Sequence, residues 1–279
     1  MEPIVFAAML ASASLHACWN AWVKSSPAPH QALAAVVIAC GVPQGVLLML
    51  YGFPPQAAWP WIAVTVVLGT GALLLLGSAY REGDFAVAYP LIRGLIPLVL
   101  AVAAVPLFAE RPTTYGAAGI VCVSAGLVLI AWESARRTRT MTLKGLAFAA
   151  LAAGVTAASV VSDAKGARVS GNPFSYAATI SVLNAIVMAA IWSVRTSSLP
   201  AMLTAHGAVA AGGAMIATVS YILFIWSLMQ APVAMVAALR ETSMLFAVLI
   251  AAFALRERIG GWRLVAIGLM FAGILLIRL

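Results

Sequence analysis

With 64% apolar and only 9% charged side chains over 279 residues, the chain cannot cover a water-facing surface; soluble domains carry roughly 25% charged residues. The deficit runs the whole length, so no attached soluble domain is expected. The formal charge of +8 does not mark a nucleic-acid binder, because the basic residues stand between or at the ends of apolar runs, where they set membrane orientation.

The opening stretch MEPIVFAAMLASASLHACWNAW lacks a basic n-region and stays apolar past signal-peptide length, so it reads as a first membrane helix. A spanning helix needs about 20 mostly apolar residues. Such runs fall at 4–24, 31–52, 59–80, 84–107, 113–133, 143–164, 174–194, 206–229, 232–255 and 261–278. Pro27 and Pro29 separate the first two, and Gly52-Phe53-Pro54-Pro55 the next pair. Arg81-Glu82-Gly83-Asp84 and the arginines at 136, 137 and 139 mark later links, and Asn172-Pro173 and Ser197 to Pro200 are turn signals. The predicted fold class is therefore an all-α integral membrane protein of ten transmembrane helices. Cys18, Cys40 and Cys122 stand alone in apolar runs, read as small hydrophobes, and offer neither a metal spacing nor a disulfide framework.

An internal repeat organises the ten spans. FAVAYPLIRGLIPLVLAVAAVPLFAERPTTYGAAGIVCVSAGLVLI, starting at Phe85, aligns without gaps on the segment starting at Pro232. Arg93 falls on Arg240, Glu110-Arg111 on Glu257-Arg258, and Gly126 on Gly273. With only 16 Lys and Arg and 8 Asp and Glu in the chain, aligned ionisable residues are hard to obtain by chance. The earlier parts match more weakly, Lys24 meeting Lys165 at a shorter offset. The expected domains are two five-helix halves, 1–139 and 140–279. Homologous halves with an odd helix count must insert in opposite orientations, and such inverted repeats are how many secondary transporters build a midplane site. Counting Lys and Arg, the odd-numbered links carry more than the even ones, which puts both termini outside the cytoplasm.

Charges at membrane depth are costly and mark function by default. Arg93 and Arg240 each lie eight or nine residues into their spans, roughly 12–14 Å from the helix start. A guanidinium there suits a carboxylate or phosphonate held bidentately; an ion pair between helices, Arg93 with Glu241, is the structural alternative. Glu241 aligns with Gly94, breaks the symmetry, and is the candidate for proton coupling, with neutralisation of an arginine as its plainer role. Asp163 reads as an interfacial salt-bridge partner of Lys165 and Arg168, and Glu110 and Glu257 as carboxylates favoured at the N-termini of the fifth and tenth spans. On the first span His16, Asn20 and Lys24 form one stripe with Trp19 beside it, expected to face a wet cavity. Tyr80, Tyr89, Tyr221 and Trp226 are candidate cavity walls, and Ser220 and Asn184 their polar companions, whereas Trp59, Trp61, Trp132, Trp192 and Trp262 fit the interfacial belt.

The ends LFAERPTTYGAAGIVCVSAGLVLI and FALRERIGGWRLVAIGLMFAGILLI, together with the ten spans, resemble the drug/metabolite transporter superfamily of EamA type. More narrowly, LHACWNAWVKS at 15–25 and SAYREGDFAVAYPLIRG at 78–94 resemble a subgroup of phosphonate-utilisation-associated membrane proteins. The resemblance implies movement of a small metabolite across an inner membrane by a multi-pass protein in contact with lipid; no cofactor is expected, and a monomer is one expectation. The favoured substrate is anionic or zwitterionic, like an amino acid or aminophosphonate. Export of cationic amines or drugs is the alternative within transport. A membrane-embedded enzyme is the alternative outside it, but no His-Glu-x-x-His, triad or phosphate loop is present and no catalytic residue is expected.

Overall fold

Short local signals set the helix ends. The computed structural model describes residues 1–82, 85–137, 142–196, 198–255 and 260–279, with side chains except at 73–74, 76–82, 85, 137 and 250–255. Proline opens three helices at their first position, where its missing N–H costs nothing: α1 (Pro3–Lys24), α2 (Pro29–Tyr51) and α7 (Pro173–Ser193). After a 3-10 turn at Gln56–Ala58 come α3 (Trp59–Glu82), α4 (Phe85–Phe108) and α5 (Thr114–Arg137). The second part holds α6 (Leu143–Ser170), α7, a short α8 (Leu199–Ala205), α9 (Gly207–Gln230), α10 (Val233–Glu241), α11 (Ser243–Leu255) and α12 (Gly261–Arg278). Eight helices among the described residues are long and apolar enough to cross a membrane.

Three boundaries differ from the expectation. The sixth span, expected to end at 164, continues to Ser170 because the stop lies further on. Gly171 takes the left-handed conformation at φ 67°, and Asn172 caps α7 by accepting from the backbone N–H groups of Phe174 and Ser175. Asp163 is thereby inside a helix rather than at its end. The short α8 was not foreseen, although Ser198 caps it through Ala201 N–H. The ninth span, read as one helix over 232–255, is two. Thr242 donates its hydroxyl to the Leu239 carbonyl at 2.6 Å, and its N–H bonds the same oxygen, so the regular ladder is interrupted there. Cys18 is exposed and not buried as expected.

The helices pack in reciprocal pairs: α1 on α9, α3 on α6, α4 on α6, α1 on α10, α2 on α7, and α5 on α12. Glycine permits the last of these. A Cβ on Gly119 would lie 2.6 Å from Ile277 Cγ1 and 2.7 Å from the Gly273 carbonyl oxygen, and one on Gly273 would lie 2.7 Å from the Gly119 oxygen. The two backbones touch, as small residues allow between helices in lipid. Gly119→Val is expected to lower stability by about 1–3 kcal/mol through overpacking. Melting of the purified variant in nanodiscs checks this, and an unchanged melt would refute the close approach.

A polar clasp joins the α4 end to the α9–α10 joint. Ala109, at φ 54°, turns the chain after α4. Glu110 does not serve the start of α5 as expected. Its Oε2 accepts the Val233 N–H at 2.8 Å, at the first turn of α10, while Oε1 pairs with Arg168 Nη2 at 2.7 Å. Arg168 also donates to the carbonyls of Leu228 and Ala231, closing the C-terminus of α9, and its guanidinium lies 5.0 Å from the Phe108 ring.

Candidate functional site

The interruption at Thr242 leaves Arg240 and Glu241 on the last turn of α10, where a cation gains from the helix dipole. The two side chains part company. Glu241 turns to α4, where Arg93 Nε lies 2.6 Å from its Oε2, with side-chain exposures of 15% and 4%. Arg93 Nη2 also donates to Ser243 Oγ at 2.8 Å, on the first residue of α11, and the guanidinium sits 5.6 Å from the Tyr89 ring. Arg93 stands between Pro90 and Pro97, whose rings break the α4 ladder on either side. The ion pair weighed from sequence is therefore present, and it spends Glu241 on Arg93.

Arg240 turns the other way, into the contact between α1 and α9. Its Nη1 donates to Ser12 Oγ at 3.2 Å, and its guanidinium carbon lies 4.1 Å from the centre of the Phe224 ring, which tilts against Tyr221. Ser12 and Ser220 each donate to the other's carbonyl, at 2.7 and 2.8 Å, and fix this contact. Among the described residues, no carboxylate reaches ion-pair distance of Arg240; the acids within that distance of an arginine pair with Arg93, Arg168 and Arg263. A half-buried guanidinium thus has a hydroxyl and an aromatic face but no anion.

His16 is half-buried on α1 within electrostatic reach of both arginines and meets Trp19 edge-on, their ring centres 5.3 Å apart. Asn20 contributes less than expected, since its amide donates to the His16 carbonyl on its own helix at 2.7 Å. Tyr89 and Tyr221 join the group. Trp226, five residues beyond Tyr221, points from a different face of α9, and among the described contacts none links it to either arginine. The side chain of Tyr80 lies outside the described residues, as do Glu257 and Arg258.

Asp163 corrects the sequence reading most. It forms no salt bridge with Lys165 or Arg168. Lys165 faces the Trp61 and Phe108 rings, and Arg168 holds Glu110. The carboxylate is buried, 5% exposed, and Thr65 Oγ1 on α3 donates to its Oδ1 at 3.0 Å. The hydroxyls of Tyr176 and Tyr221 lie close by, and Arg240 acts on it electrostatically from further off. Helix spacing carried the missed signal: positions 163 and 165 are two apart and do not share a face. Among the described residues no three His, Cys, Asp or Glu side chains gather as a metal site.

A search of curated proteins returned no match. Among solved structures 27 chains match. One, described only as "Crystal structure of protein", superposes with a TM-score of 0.74 at 19% identity, over 98% of this chain and 94% of that one. At that identity the likeness is one of fold. Residues 143–279, just under half of the chain, match the model of the EamA-like transporter family.

Proposed function

We propose that the chain is a secondary transporter that moves a small anionic or zwitterionic metabolite across the inner membrane by alternating access. In this reading ten crossings form two inverted halves, 1–139 and 140–279, with α10 and α11 together making the ninth. The packing supports it: exchanging the halves carries the α1–α9 contact onto α3–α6 and the α1–α10 contact onto α4–α6, while α2–α7 and α5–α12 map onto themselves. A helix interrupted mid-span beside two charges is also the kind of element that lines transporter sites.

The observation that carries the reading is Arg240, an interior guanidinium without an anion. A carboxylate or phosphonate supplied by the substrate would fill that place, and His16, Trp19 and Tyr221 stand around it. Glu241 is the weaker candidate for proton coupling, because titrating it would first have to break the pair with Arg93. The phosphonate-associated resemblance at 15–25 and 78–94 adds aminophosphonates to the compounds to be tried.

The test is flux into liposomes containing the purified protein, without ATP, over amino acids, alkylphosphonates and aminophosphonates. Arg240→Gln should cut flux about 10- to 100-fold, the value of a charged hydrogen bond. Undiminished flux in that variant would overturn the assignment and favour the export of cationic amines. That second reading has one observation of its own, the buried acid Asp163, which meets hydroxyls and no cation at ion-pair distance among the described residues.

A further inference from the structure

The charges in the interior do not cancel in pairs as far as they could. Arg93 and Glu241 neutralise each other at 2.6 Å. Arg240 and Asp163 are left without an ion-pair partner among the described residues: Ser12 and Phe224 meet the arginine, and Thr65, with the Tyr176 and Tyr221 hydroxyls close by, meets the acid. They act on each other electrostatically yet do not reach ion-pair distance among the described contacts. Tyr221, on α9, neighbours both: its hydroxyl is near Asp163, and its ring packs beside the Phe224 that carries Arg240.

Two opposite charges held apart in a poorly solvated interior forgo most of their mutual attraction. A ligand that brings an anion to one and a cation to the other recovers it on both sides. We infer that Asp163 binds the ammonium group of the substrate while Arg240 binds its acid group, so that the transported molecule is a zwitterion. The inference rests on the transport reading and narrows its substrate class. It also joins the two observations that, taken singly, pointed to an anion and to an amine. A zwitterion has the further merit of crossing without adding net charge to the interior. Thr65 then serves as a positioning residue, since its hydrogen bond to Oδ1 fixes the carboxylate.

Matched probes separate this from a purely structural acid. Titration calorimetry on the protein in nanodiscs would compare L-leucine with 4-methylpentanoate, and 2-aminoethylphosphonate with ethylphosphonate. The expected result is that, in a pair that binds, the amino-bearing member binds at least about tenfold more tightly to the wild type. Asp163→Asn keeps the size of the group and its acceptor for Thr65. It should abolish that preference and leave the des-amino member unchanged. Asp163→Glu, which retains the charge, should keep part of the preference and guards against misfolding of the first variant. Equal binding of both members by the wild type, or a preference that survives in Asp163→Asn, overturns the inference while leaving Arg240 and the transport reading in place. Failure of all four compounds to bind, with no flux in liposomes, overturns both.

Discussion

Glu241→Ala should destabilise the protein by about 3–5 kcal/mol, the cost of removing one partner of a buried ion pair. The pair joins the middle of α4 to the interruption between α10 and α11, and its acid is the more deeply buried member at 4% side-chain exposure. The loss exceeds one hydrogen bond because the change removes the carboxylate 2.6 Å from Arg93 while leaving the arginine in the interior. A double variant tests that cause. Arg93→Met with Glu241→Ala removes both charges, and it should be closer to the wild type in stability than Arg93→Met or Glu241→Ala alone. Melting in nanodiscs of the four proteins gives the coupling directly. Additive losses would show that the two residues act independently and that the 2.6 Å contact carries little energy.

The second large effect is expected at Arg168. Its side chain makes an ion pair with Glu110, two hydrogen bonds to the carbonyls of Leu228 and Ala231, and a face contact with Phe108. Those carbonyls belong to the end of α9, where the helix has no further N–H to offer them. Arg168→Ala should therefore cost about 2–4 kcal/mol, since charged hydrogen bonds contribute about 1.5–3 kcal/mol each and partial exposure reduces the sum. Arg168→Lys should recover less than half, because a single ammonium cannot serve Glu110 and two carbonyls in the geometry of a planar fork. Protease resistance of the α9–α10 joint, measured beside the overall melt, checks whether the loss is local. A melt unchanged in Arg168→Ala would contradict the clasp.

The membrane itself explains why most helices were legible. Backbone groups in lipid must bond within their own segment, so a long apolar run is nearly obliged to be a helix. Boundaries failed where polar residues looked like ends but were interior. Asp163, Lys165 and Arg168 read as the edge of a span, yet each finds a partner on another element: a hydroxyl, two aromatic rings, a carboxylate. Such partners come from distant sequence and leave no local mark. The interruption at Thr242 was hidden for a related reason. It uses neither glycine nor proline, only a threonine hydroxyl competing for its own backbone. At the candidate site the aligned arginines were visible in advance, and so was the possible pairing of Arg93 with Glu241. That Arg240 would be left without an anion depends on which way α10 faces, which the repeat does not specify.

The contact of Gly119 with Gly273 bears on how the molecule can bend. Helices separated by side chains slide when those chains change rotamer, and ridges then jump from groove to groove. Where two backbones rest on each other, with Ile277 and Val123 seated against the facing glycines, α5 and α12 have little freedom to shear. Small rotations about the point of touch remain open, since a flat glycine face opposes them least. The seam thus resists sliding where the two backbones touch.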